Sequence, residues 1–162
     1  MSIVKFYRGD PANTPKTTQG ARLGANVILT CQGKLLLEKR RDSDTWGLVG
    51  GGVKDHEEPL DAIVREIYEE LGLRVKKEQF RKLGVYGEPG RVAAYCDGSV
   101  WRMVIVVFAL ELSEDVALRI SHESRELRWF SRCELEEIDI VVTHSDIVED
   151  HFLNRMNIQN NE

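Results

Sequence analysis

The sequence predicts an α/β (α+β) fold in which a mixed β-sheet is sandwiched between helices, giving three α/β/α layers. Three observations carry that expectation. Strand-like segments stand both before and after one amphipathic helix, the run from Met103 to Leu110 is apolar on both faces, and the chain closes on helical patterns. A strand that is apolar on both faces needs cover on both sides, which helices on opposite faces of the sheet supply.

Each element follows from local composition. The first twenty residues, with "GDPANTPKTTQG", are rich in turn formers and are expected to be loosely ordered. "GANVILT" and "KLLLEKR" read as two strands of a hairpin joined by "CQGK". In "WGLVGGGVKDHEEPLDAIVREIYEELGL", residues 46 to 73, Pro59 suits a first helical turn and Gly72 suits the position beyond the last, which predicts a helix over 59–71. Leu60, Ile63, Val64, Ile67 and Leu71 fall on one arc of that helix and form its sheet-facing side. "FRKLGVY", "SVWRMVIVVFALEL" and "ELRWFS" read as further strands. "CELEEI" and "THSDIVEDHFLNRM" read as helices, the second capped by Thr143 or Ser145 and turning Ile147, Val148, His151, Phe152 and Met156 toward the sheet. "NIQNNE" is expected to fray. Without repeats or linkers, residues 1–162 are read as one domain with 1–20 and 157–162 loosely ordered.

Composition narrows the function classes. With 22 basic and 27 acidic residues the formal net charge is −5, so there is no general electrostatic case for nucleic acid or an anionic membrane. The longest apolar run falls far short of the ~20 residues of a membrane helix, and the amino terminus shows no signal pattern. The expectation is a cytoplasmic protein. Cys31, Cys96 and Cys133 are odd in number and widely spaced, as free reduced thiols would be.

The chemistry concentrates in residues 46–73. Glu66 and Glu70 lie four residues apart at the edge of the apolar arc, and Glu69 is three beyond Glu66, so their carboxylates can converge. Like charges one turn apart oppose each other, and a hard divalent cation relieves that opposition through carboxylate oxygens. An acidic helix can also be merely a solvated face; the glycine run just upstream and Arg65 beside Glu66 weigh against that reading here.

The pattern Gly51, five residues, Glu57, seven residues, Arg65-Glu66-Ile67, one residue, Glu69-Glu70, one residue, Gly72-Leu73 resembles the signature box of the Nudix hydrolases at every defined position. The likeness extends to "GANVIL", "KLLLEKR", "GSVWRMVIVVFALEL" and "ESRELRWF", which are similar to the flanking strands of small bacterial members. Val49, Lys54 and His56 depart from the residues common there, though none is a defined position of the box. The resemblance implies the Nudix fold and hydrolysis of a pyrophosphate bond in a nucleoside diphosphate linked to another group, with Mg2+ or Mn2+. It implies Glu66, Glu69, Glu70 and the Gly50 carbonyl as metal ligands, Glu57 as an assisting acid, and Arg65 as the residue that orients a box carboxylate. It leaves the general base open between Glu66 and, next, Glu123. Substrate contacts are expected from Arg40, Gly51, Gly52 and Trp46, and a homodimer is an open partner state.

Pro89, sixteen residues after Leu73 in "GEPGR", resembles ADP-ribose-processing members, which puts ADP-ribose slightly ahead of nucleoside triphosphates as substrate. A proline in a turn needs no such reason. Tyr86, Tyr95 and Trp101 are weighed with Trp46 as base-stacking residues against plain strand packing. Three other readings stay below the enzyme. A silent nucleotide sensor would lose box carboxylates, an RNA-end hydrolase would use Lys76, Lys77, Arg81 and Lys82 as a basic patch, and an interaction domain would dock through the last helix.

Overall fold

The two longest strands run parallel at the centre of the sheet. A computed structural model describes residues 4–154, and in it β2 (Ala21–Cys31) pairs with β8 (Val100–Leu112) from Ala21↔Arg102 to Cys31↔Leu112. On the outer side of β8 lie β6 (Arg81–Tyr86) and β7 (Val92–Tyr95), both antiparallel to it, and β7 in turn pairs with β1 (Val4–Tyr7). On the outer side of β2, its last residues pair with β3 (Lys34–Arg40) and its first half with β5 (Gly50–Gly52). The strands β4 (Trp46–Gly47) and β9 (Ser124–Phe130) flank β3. The sheet is therefore mixed, as expected.

Alternation along β8 explains why its apolar run has no polar face. Val106, Phe108 and Leu110 join Ala25, Val27, Leu29 and Leu36 in a core beneath helix α1 (Pro59–Leu71), while Ile105 and Val107 join Ile28, Leu35 and Leu37 in a second core on the opposite face. That second core is closed by the short α2 (Arg132–Leu135) and by α3 (Val142–Val148), through Leu135, Ile147, Val148 and Phe152. The predicted α/β/α layering is present.

Helix α1 has the predicted bounds. Pro59 opens it, Asp61 accepts from the Glu58 N–H at 3.1 Å, and Gly72 closes it at φ 69 with its N–H donated to the Tyr68 carbonyl at 2.9 Å. Two other elements differ from expectation. Residues 4–7 are not loosely ordered but pair with β7, a strand the pattern did not signal because "VAAY" is short and lacks alternation. The last helix starts at Val142, so Thr143 and Ser145 lie within its first turn instead of capping it, and the Ser145 hydroxyl donates to the Val142 carbonyl at 3.2 Å. Its start is set by tertiary bonds, with Trp46 N–H donated to the Asp139 carbonyl at 2.9 Å and Val141 N–H to the Trp46 carbonyl at 2.8 Å. The helix passes into a π turn over Glu149–Leu153. There His151 meets the Tyr86 hydroxyl at 2.7 Å and lies outside the core, while Met156 and 157–162 lie outside the described residues. Among the described residues, no helix is long and apolar enough to cross a membrane, and Cys31, Cys96 and Cys133 are unpaired.

Candidate functional site

The glycine run, the acidic edge of α1 and the ends of β2 and β3 enclose a cleft of about 610 Å³. Two close approaches account for the glycines. Gly50 sits at φ 149, where a side chain would overlap the Ala25 carbonyl, and a Cβ on Gly51 would come within 2.5 Å of Glu66 Oε1. Glycine at 50 thus lets the loop lie on β2, and glycine at 51 leaves room for the Glu66 carboxylate. The preceding residues are pinned from two sides. Buried Asn26 donates to the carbonyls of Leu48 at 3.1 Å and Val49 at 3.4 Å, and Leu48 N–H donates to Nδ1 of buried His144 at 3.0 Å. Burial, reinforced by the charges of Arg40 and Arg91, holds His144 neutral and brings its pKa down to about 3.

Arg65 ties loop to helix. Its guanidinium donates to both oxygens of Glu57 at 2.8 and 2.9 Å, to Glu66 at 2.8 Å, to Glu69 at 3.2 Å and to the Gly52 carbonyl at 3.0 Å. The bidentate pair with Arg65 is the main reason the Glu57 pKa falls to about 2. Glu70 is the opposite case. It is 5% exposed, and burial, then the charges of Glu38, Glu66 and Glu123, push its pKa up to about 10, which a hydrogen bond from Gly50 N–H offsets only in part. Burial likewise raises Glu66 and Glu38.

Glu70 Oε2 is buried with no hydrogen-bond partner. A desolvated set of hard carboxylate oxygens with one orphaned oxygen fits Mg2+ or Mn2+, because a small divalent cation satisfies the oxygen and the accumulated charge together. Among the described residues no three His, Cys, Asp or Glu side chains already converge as ligands. Arg65 pairs with Glu66 at 2.8 Å and with Glu69 at 3.2 Å.

The structure brings most of the anticipated residues to one cleft. Gly50, Gly51, Gly52, Glu66, Glu69, Glu70, Glu123 and Arg40 all line it, and Glu57 reaches it through Arg65. Trp46 does not: it is 8% exposed, edge-on to Phe130 at 4.8 Å, in the core beneath α3. An indole in the core cannot meet a nucleotide, so the substrate contact expected of Trp46 is withdrawn. Arg40 lines the cleft, but its guanidinium is gripped by Asp42 at 2.8 and 2.6 Å and lies over Phe6 at 5.5 Å. Of the aromatic residues weighed for stacking, Tyr95 faces the cleft, whereas Tyr86 is bonded to Asp150 and His151. Lys77 of the basic patch is paired with Asp61.

Several residues of the cleft carried no motif. Phe6 arrives on β1, and Arg22 bonds the Tyr95 hydroxyl at 3.0 Å while stacking over Trp101 at 4.5 Å. Glu38 was signalled: in "KLLLEKR" it follows Leu36 on the same face of the strand, so an acid there points to where α1 packs.

Comparisons with known proteins agree with this fold. A model of the NUDIX domain matches residues 20–151. A MutT-like protein of Streptomyces ambofaciens is 33% identical over 113 residues, covering 70% of this chain and 65% of that protein. An RNA pyrophosphohydrolase of Psychrobacter is 44% identical over 55 residues, covering 33% of this chain and 32% of that protein. The matched stretch thus spans less than two thirds of either relative. Among solved structures, the NUDIX domain of Shewanella oneidensis NrtR complexed with ADP ribose superposes with a TM-score of 0.65 at 19% identity, covering 85% of this chain and 91% of that one.

Proposed function

Because the chain belongs to the NUDIX domain family, we propose that it is a pyrophosphohydrolase that uses Mg2+, or Mn2+ in its place, to cleave the diphosphate bridge of a nucleoside diphosphate linked to another group. One observation carries the reading: a buried carboxylate oxygen without a partner, on Glu70, set among Glu38, Glu66 and Glu123 at one end of a cleft. Such an arrangement costs stability and is retained where it binds charge.

Glu66, Glu69, Glu70 and the Gly50 carbonyl hold the cation, and when bound it supplies neutralisation of the phosphate oxygens. Arg65 fixes the directions of Glu57, Glu66 and Glu69 through a planar guanidinium that a lysine would not replace. Glu66 accepts the proton of the attacking water, with Glu123 next in order because it faces the same cleft. Arg40 is neutralised by Asp42, so the phosphates and the distal group are met by Arg22 and Arg41, which line the cleft and form no carboxylate ion pair among the described residues.

ADP-ribose-like substrates lead on the position of Pro89 after Leu73, ahead of nucleoside triphosphates. An RNA 5′ end is third, since the relative of that name matches 55 residues and Lys77 is already paired. The test is a panel of ADP-ribose, nucleotide sugars, dinucleoside polyphosphates and triphosphates, assayed with and without Mg2+. Release of AMP and ribose 5-phosphate from ADP-ribose, abolished by chelation, is the expected result; binding without turnover of any substrate would make the chain a nucleotide sensor.

A further inference from the structure

Glu38 is the acid that the box does not explain. It is 4% exposed, it lies on β3 and not on α1, and it faces the same cleft as Glu66, Glu69 and Glu70. Its surroundings are built for a fixed orientation. Ser124, 2% exposed, donates its hydroxyl to Glu38 Oε2 at 2.7 Å, Arg40 Nη1 lies 4.0 Å from Oε1, and Glu70 lines the same cleft. The serine owes its place to a register shift. From Leu35↔Phe130 to Lys39↔Glu126 the β3–β9 pairing advances one residue at a time, and then Arg40 pairs with Ser124, skipping Arg125. A bulge beside a site re-aims a side chain, and this one puts the serine hydroxyl on Glu38.

Two buried acids that face one cleft cannot both ionise unless something positive stands between them. Arg40 does not fill that role, because Asp42 takes its fork at 2.8 and 2.6 Å. The oxygen left without a partner, Oε2 of Glu70, belongs to a side chain more than nine-tenths buried within this group.

We propose that Glu38 is a further ligand of the divalent-cation site, which is then built jointly by strand β3 and helix α1, with Ser124 as its positioning residue. The proposal rests on the metal-dependent reading above. In consequence, cation binding ties the sheet to the helix across the cleft floor.

Titration of the full chain with Mn2+ in the absence of substrate tests it, with free Mn2+ followed by electron paramagnetic resonance. Glu38→Gln keeps the volume and an acceptor for the Ser124 hydroxyl. It is expected to bind one Mn2+ fewer per chain or to bind about tenfold more weakly, and Ser124→Ala to weaken binding less. The melting temperature of Glu38→Gln in chelator should equal or exceed that of the unsubstituted chain, because a buried ionisable group is gone, while its rise on adding Mn2+ should shrink. Mn2+ binding by Glu38→Gln with unchanged stoichiometry and affinity would overturn the assignment and leave the pyrophosphohydrolase reading intact. An unsubstituted chain that takes up no Mn2+ would overturn the metal-dependent reading itself, and this assignment with it.

Discussion

The two helical faces of the sheet are held in different ways. On one, α1 has its own start and stop: Pro59, the Glu58–Asp61 contact and Gly72 bound it, and its apolar arc packs on the sheet. It also carries Glu70, a buried acid with one oxygen unpartnered, whose ionised form burial and the neighbouring acids disfavour. On the other face α3 has no side-chain cap and is fastened from outside. Fully buried Arg91 donates to the Thr143 carbonyl, to Asp146 and to Glu88, and Arg8 adds contacts to Asp146 at 3.3 Å and the Val142 carbonyl at 3.0 Å. The contrast separates work from support. The locally specified helix bears the charge that binding needs, while the tertiary-specified helix holds Thr143 and His144 against the cleft.

Removing a carboxyl group from the α1 face should give the largest effect and move activity and stability in opposite directions. Glu70→Gln is expected to cut turnover by orders of magnitude, while its melting temperature in chelator stays level or rises; turnover close to that of the unsubstituted chain with Mg2+ would break the contrast. On the α3 face the effect should be on stability alone in sign. Arg91→Met leaves Asp146 and Glu88 without their buried partner and is expected to cost about 3–5 kcal/mol in a denaturant titration. A loss below about 1 kcal/mol would mean that apolar packing alone holds α3.

His144 sharpens the same contrast through pH. Its folded pKa, about 3, is below the ordinary 6.5, so below 6.5 the unfolded chain takes up a proton that the folded chain refuses. Its contribution is therefore complete above pH 6.5 and is lost as pH falls toward 3, by up to about 1.4 kcal/mol per pH unit. His144→Asn offers Leu48 N–H an acceptor without a titration, and its stability is expected to fall less steeply over that range in unfolding curves measured at stepped pH. The smallest effect is at the end of α1. Gly72→Ala forces a side chain to φ 69, with its Cβ 3.3 Å from Arg119 Cβ, and is expected to cost about 1 kcal/mol in a denaturant titration, with Mn2+ binding unchanged, because Gly72 does not line the cleft.

Legibility followed the range of the interactions. The bounds of α1, the hairpin of β2 and β3 and the two-faced strand β8 were readable because each depends on neighbours in sequence: a proline, a left-handed glycine, a tight turn, an unbroken apolar run. The box acids were readable for the same reason, since helical spacing alone puts Glu66, Glu69 and Glu70 on adjacent positions. Strand β1 was not, because its pairing partner β7 lies more than eighty residues away. Trp46 was misread because its neighbours Thr45 and Gly47 say nothing of Phe130, which packs edge-on against it.

By itself the sequence determined that a helix of set length would follow a glycine loop and bear acids on one edge, because propensity, capping and period act over a few residues. The tertiary structure alone decided which strangers meet those acids. Glu38 and Ser124 reach them through a bulge between two strands, His144 grips the loop from the far helix, and Arg40 is spent on Asp42. Burial and charge act through space, so the environment of Glu70 exists only once β3, α1 and the loop after β8 are packed around one volume.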